Sequence, residues 1–135
     1  MSSENLYERG EQMRREILGE AYVAQSAAST DPFSAPIREF AIKHLWGEIW
    51  AREGLDRRSR SIVNLALLTA LNRPTELKVH LRAALNNGLS KNEISEIFFQ
   101  CGLYCGIPAG SESTRIAKQL FAEIDAEAAA EVAAK

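Results

Sequence analysis

Every apolar segment of this chain repeats at the three- and four-residue spacing of a helix, and no stretch alternates with the period-two pattern of a strand. That regularity argues against any sheet architecture. Glycine and proline punctuate the repeats: Gly19, Gly54, Gly88 and Gly106 fall at the ends of apolar runs, and Pro36, Pro74 and Pro108 fall where new ones begin. The predicted fold is all-α, a bundle of five or six helices. At 135 residues a single domain covering 1–135 is expected, with roughly two-thirds of its unfolded surface buried around one core.

Taken in order, Leu6, Met13, Ile17 and Leu18 predict an amphipathic helix from Asn5 to Gly19. An Ala/Ser-rich segment, Tyr22 to Thr30, leads to the two-proline turn Asp31–Pro36, after which IREFAIKHLWGEIWAR presents Phe40, Ile42, Leu45, Trp46, Ile49 and Trp50 as one broad apolar surface. Asp56 is placed to cap a third helix, Arg57 to Leu71, whose second half is apolar all round and so belongs in the middle of the bundle. A fourth runs from about Thr75 to Asn87 with Leu77, Leu81, Ala84 and Leu85 as its buried stripe. Ser90 and Glu93 form a capping box for the fifth, which carries Ile94, Ile97, Phe98, Cys101, Tyr104 and Cys105 down to Gly106. The sixth, about Ala109 to Glu127, frays into an alanine-rich tail. The first two helices are too sparse or too aromatic to stand alone, which predicts a homo-oligomer.

Composition removes several function classes. A net charge of −2 with arginines and acids interspersed gives no basic field, so nucleic acid is not an expected partner. No apolar run approaches the ~20 residues that span a bilayer, so no membrane partner is expected, and the polar opening MSSENLYERGEQMRRE has no signal-peptide core, which makes the cytoplasm the default. The two cysteines, Cys101 and Cys105, sit four residues apart in an apolar segment and suit a reducing compartment, where they read as small core residues. Phosphate-binding loops, dinucleotide fingerprints and zinc-type Cys/His sets are missing from the sequence.

What remains is acid–base chemistry on the fourth helix. Glu76 and His80 are one helical turn apart, where a carboxylate can orient an imidazole; the same spacing also suits a metal, but no further ligand residues cluster with it. Arg60 and Asn64 share a face of the third helix, Arg60 as either a surface salt bridge or an anion anchor and Asn64 as a satisfied core amide. Trp46 and Trp50 are core or interface anchors, or one of them walls a ligand pocket, and His44 reads as a surface histidine.

The blocks YERGEQMRREILGEAYV, WGEIWAREGLDRRSR and RSIVNLALLTALNRPTELKVHLRAALNNGLSKNEISEIFFQCGLYCGIPA, in this order and spacing, resemble the 4-carboxymuconolactone decarboxylase family across nearly the whole chain. The resemblance implies an alkylhydroperoxidase D-like fold, assembly as trimers or hexamers, and cofactor-independent loss of CO2 from 4-carboxymuconolactone to give 3-oxoadipate enol-lactone in protocatechuate catabolism. It makes a small-molecule carboxylate the expected substrate and implies no cofactor and no metal. His80 then becomes the general acid with Glu76 as its orienting partner, Arg60 the carboxylate clamp, and Trp46, Asn87 and Tyr104 further substrate-binding candidates. The chain departs from the family pattern after Pro108, where Gly110-Ser111-Glu112-Ser113-Thr114 replaces small residues, an asparagine and Ala-Phe, so a decarboxylase or isomerase of the same family acting on another carboxylated substrate is the first alternative. A thiol peroxidase or reductase using Cys101 and Cys105 is the second, and a non-enzymatic oligomeric binding protein is the third.

Overall fold

The computed structural model describes residues 2–135 and contains, among them, seven α-helices, one π-helical stretch and no strand. None of these helices is long and apolar enough to cross a membrane. The chain divides into two compact units, one up to Arg60 and one from Ser61 to Lys135.

In the first unit, α1 (Ser3–Leu18) starts where the Ser2 hydroxyl accepts from the Asn5 N–H at 3.2 Å, and it stops at Gly19, whose φ of 93° is a conformation glycine adopts without strain. The Ala/Ser segment that follows is itself a helix, α2 (Glu20–Ala28), and this is why the count is seven where the sequence predicts five or six. Its alanines have high helix propensity but supply no apolar stripe, so periodicity does not reveal it. Asp31 and Ser34 then cap one another, Ser34 N–H donating to Asp31 Oδ1 at 2.9 Å, and α3 (Ala35–Phe40) begins one residue before Pro36.

Directly after α3 the backbone widens into a π-helical stretch, Ala41–Trp50. In a helix closed by i→i+5 bonds, a four-residue step comes close to one full turn. Ile42, Trp46 and Trp50 therefore line up on the buried side, while Phe40, Leu45 and Ile49 are left exposed, a narrower stripe than an α-helical reading of the same residues predicts. The tryptophan rings stack with centroids 5.2 Å apart. Gly10 and Gly47 let α1 lie directly on this stretch, because a Cβ on Gly47 would sit 2.5 Å from the Leu6 carbonyl oxygen and one on Gly10 would overlap that of Ile42. Beside them Arg14 is buried, bonded to Glu11 at 2.8 Å and to Ser26 at 3.1 Å.

The second unit comprises most of α4 (Arg57–Ala70), then α5 (Pro74–Asn86), α6 (Lys91–Cys105) and α7 (Ile107–Ala134). Its core is Leu65 from α4, Leu77, Leu81 and Ala84 from α5, Leu89, Ile94 and Phe98, and Ile116, Ala117 and Leu120 from α7. The capping box at α6 is formed in full, Ser90 N–H donating to Glu93 Oε1 at 3.0 Å and Glu93 N–H to Ser90 Oγ at 3.1 Å. A Cβ on Gly110 would meet the Phe98 carbonyl oxygen at 2.7 Å, so glycine there sets how closely α7 approaches α6. Lys78–Glu123 and Arg82–Glu127 ion pairs, at 2.9 and 2.7 Å, tie the outer face of α5 to the helical tail. One expectation is corrected: α4 is not enclosed, since Val63, Leu67 and Leu71 are between 46% and 62% exposed along one edge.

Candidate active site

α5 positions the chemistry. Pro74 opens the helix with a φ already suited to its first turn. Gly88, at φ 95°, closes it as the Leu89 N–H returns to the Ala84 carbonyl at 3.0 Å. Between these ends Leu77, Leu81 and Ala84 face the core, and His80 goes in with them, only 7% exposed.

The buried imidazole meets an amide. Asn64 Nδ2 on α4 lies 3.4 Å from His80 Nδ1, and three residues earlier on α4 the fully buried Ser61 hydroxyl accepts from Asn87 Nδ2 at 2.9 Å. Two side-chain bonds thus bridge α4 and α5 in antiparallel order, forming a polar seam at the edge of an otherwise apolar core. Burial pushes the His80 pKa down to about 4. The ring is neutral at physiological pH.

Glu76 does not take the part expected of it. It is exposed, and no hydrogen bond or ion pair joins it to His80 among the described residues. One helical turn of separation puts the two side chains on neighbouring azimuths, but His80 turns into the core while Glu76 stays in solvent, where its charge is screened. The expected upward pull on the imidazole is accordingly replaced by the downward push of burial.

The other sequence candidates fall in different places. Arg60, the last residue of the first unit, is partly buried and its Nε has no hydrogen-bond partner. Trp46 is buried in the first unit against Trp50. Asn87 belongs to the seam through Ser61. Tyr104 is 84% exposed and lines an apolar groove of about 470 Å³ between α4 and α6, together with Ile62, Leu67, Ile97, Cys101 and Cys105. Both cysteines are free thiols; burial pushes the Cys101 thiol pKa up, which keeps it protonated and weakens it as a nucleophile. Among the described residues no three His, Cys, Asp or Glu side chains converge as a metal site would need.

The segment that departs from the family pattern is folded into α7. Ser113 is buried and bonded to Thr69 at 2.8 Å; because the Thr69 hydroxyl gives its proton to the Leu65 carbonyl at 2.7 Å, Ser113 is the donor. Glu112 points outward and pairs with Arg115, whose guanidinium holds its carboxyl below the usual range. The new acid therefore adds no unpaired charge to the core.

Asn64 is the satisfied amide expected from the sequence, whereas Ser61 is a further seam residue that the sequence-based expectations do not single out. The signal for both was present: two small polar residues three apart at the start of an apolar helix require buried partners, and His80 and Asn87 supply them.

Residues 36–119 match the model of the carboxymuconolactone decarboxylase family. A 4-carboxymuconolactone decarboxylase of Acinetobacter baylyi is 40% identical over 124 residues, 92% of this chain and 92% of that protein. A nitrosuccinic acid decarboxylase of Metarhizium robertsii is 36% identical over 108 residues, 80% of this chain and 76% of that one.

Proposed function

The chain belongs to the carboxymuconolactone decarboxylase family, and from that premise we propose that it is a cytoplasmic, cofactor-independent decarboxylase of an enolisable lactone acid, acting as one domain on 4-carboxymuconolactone. The observation that carries the reading within this molecule is His80: a single imidazole drawn into an apolar core, with a side-chain amide at its Nδ1.

The reaction suits such a site. As the C–C bond to the carboxylate breaks, CO2 leaves and the electron pair stays on the ring carbon, spreading through the adjacent C=C to the lactone carbonyl oxygen. The substrate is its own electron sink, so what the protein supplies is charge placement and one proton. That proton goes to the carbon next to the lactone carbonyl, giving the enol-lactone, and is regained from solvent. A donor facing the developing enolate is worth ~3 kcal/mol and a general acid ~10² to 10⁴ in rate.

His80 is the proposed acid. With its pKa near 4 in the free protein it needs help to be cationic, and a substrate carrying two carboxylates provides it, since a nearby anion stabilises imidazolium. The ring then takes a proton as substrate binds, gives it to carbon, and returns to the neutral form that the apolar core favours. Arg60 is the proposed carboxylate clamp, supported by its buried and unpartnered Nε. Asn87, Tyr104 and Trp46 stand as further substrate-binding proposals, Asn87 with the added support of its bond to Ser61.

The alkylhydroperoxidase D-like arrangement and assembly as a trimer or hexamer belong to the same proposal. The exposed edge of Val63, Leu67 and Leu71 beside the α4–α6 groove supports self-association, because contiguous exposed apolar surface of this kind commonly marks a protein contact.

The test is turnover. Purified protein is expected to deplete the ultraviolet absorbance of 4-carboxymuconolactone without added metal or thiol. His80→Gln is expected to lose at least 10²-fold in kcat and Arg60→Ala to raise KM. Full activity in His80→Gln would remove His80 from the mechanism. The name of the Metarhizium relative favours one specific second reading: turnover of nitrosuccinate but not of the lactone would reassign the substrate and keep the reaction class.

A further inference from the structure

The second unit holds a cavity that the proposed reaction does not use. It is a groove of about 630 Å³ between α6 and α7, and none of Ser61, Asn64, His80 and Asn87 lines it. The two helices cross where Gly102 meets Gly110: a Cβ on Gly110 would lie 3.0 Å from the Gly102 Cα, so bare backbone forms the crossing and the side chains on either hand stand as walls. Gly110 belongs to the segment that departs from the family pattern. The volume falls within the ~300 to 1,000 Å³ of small-ligand sites.

The walls differ in chemistry. From α6 come Phe99 and Leu103, one helical turn apart, and Ile107 at the start of α7 continues the row; all three are between 63% and 69% exposed. From α7 come Ser111, Arg115 and Lys118, at the i, i+4 and i+7 positions of one helix face. Arg115 and Lys118 are the charged side chains that line the groove, and no carboxylate lines it with them. Glu112 neutralises Arg115 from outside, whereas Lys118 has no ion pair or hydrogen bond among the described residues. We infer that the groove is a second ligand site for a small acid with a flat apolar body and one carboxylate, the body against Phe99 and Leu103 and the carboxylate toward Lys118.

Charge complementarity selects this class of ligand. A cation would meet two positive side chains and no negative one. A wholly polar anion would leave the row of Phe99, Leu103 and Ile107 in water, and an uncharged hydrocarbon would cover that row while giving the Lys118 ammonium no partner. An apolar acid answers both walls at once, and the Ser111 hydroxyl, one helical turn from Arg115, is placed to donate to the same carboxylate. The inference stands apart from the role of His80, because the groove and the seam share no residue.

The experiment is equilibrium dialysis of the full-length protein at neutral pH against 2-naphthoate and, separately, against its uncharged isostere 2-naphthamide, each followed by its own absorbance. The expected result is saturable uptake of one 2-naphthoate per chain with a Kd of ~1 mM or tighter, ordinary for a ligand of this size. Uptake of 2-naphthamide should be about fivefold weaker, the upper end of what one exposed ion pair contributes. Lys118→Gln should bring the acid down to the affinity of the amide and leave the amide unchanged, and Leu103→Glu should abolish uptake of the acid. Both positions are exposed, so neither change disturbs the core, and the comparison of acid with amide needs no variant at all. Absence of saturable 2-naphthoate uptake would overturn the inference, as would equal uptake by the wild-type protein and Lys118→Gln. Binding that survives both variants and disappears in His80→Gln would also overturn it, by placing the ligand at the proposed active site. No uptake, together with slower sedimentation of Leu103→Glu than of the wild-type protein, would assign the groove to a contact between copies of the chain instead.

Discussion

Acidifying the protein from pH 7 to pH 4 should cost it stability through one side chain. In the unfolded chain the His80 imidazole takes up a proton near its ordinary value of 6.5, whereas in the fold burial holds it neutral down to about 4. Between those values the unfolded state binds more protons, so stability rises with pH across this interval and falls on acidification. At about 1.36 kcal/mol per pH unit, the loss accumulated by pH 4 is about 3 kcal/mol, a large part of the ~5 to 15 kcal/mol that holds a typical domain together. Carboxyls held below their usual range, at Glu16, Asp31, Asp56 and Glu112, also weaken the fold as they protonate. A comparison isolates the histidine, because these acids are shared with the His80→Gln variant and cancel. Urea unfolding of both proteins at pH 7, 5.5 and 4 should therefore give a difference in free energy that shifts by about 3 kcal/mol in favour of the variant at the acid end. Parallel curves for the two proteins would refute the claim that His80 is buried and neutral.

Two further outcomes test the fold. Gly10→Ala should destabilise the protein by about 2 to 3 kcal/mol in urea unfolding, despite alanine's better helix propensity, because the obstacle is the Ile42 backbone carbonyl and not a side chain that can move; Gly54→Ala, with nothing near its Cβ, serves as the control and should be close to neutral. If the stripe on α4 is covered by a second copy, Leu67→Lys should shift the sedimentation of the assembly toward the monomer while leaving the helical circular dichroism unchanged, and an unaltered sedimentation coefficient would count against this edge as the contact.

The sequence was most informative where local chemistry decides the outcome. The ends of α4, α5 and α6 follow from Asp56, Pro74, Gly88 and the Ser90–Glu93 box, each acting within four residues of its own position. The buried stripe of α5 was legible for the same reason, since a 3.6-residue period is a property of the strand of sequence itself. Where neighbours decide, local pattern is not enough. α2 has no stripe to betray it, and the widening of Ala41–Trp50 accompanies a packing contact with Gly10 and Gly47 that no local pattern encodes.

The candidate site divides along the same line. Sequence alone singled out His80 as the residue for acid–base chemistry, by its residue type and its place on an amphipathic helix, and with it the asparagine at the helix end. It also suggested Glu76 as the partner, from spacing. Only the tertiary structure decided that the imidazole is turned into the core, that Asn64 from another helix meets it at Nδ1, and that Glu76 is left in water. The physical reason is that helical spacing defines which side chains are neighbours on one cylinder, whereas protonation depends on what the next cylinder brings and how much water it removes.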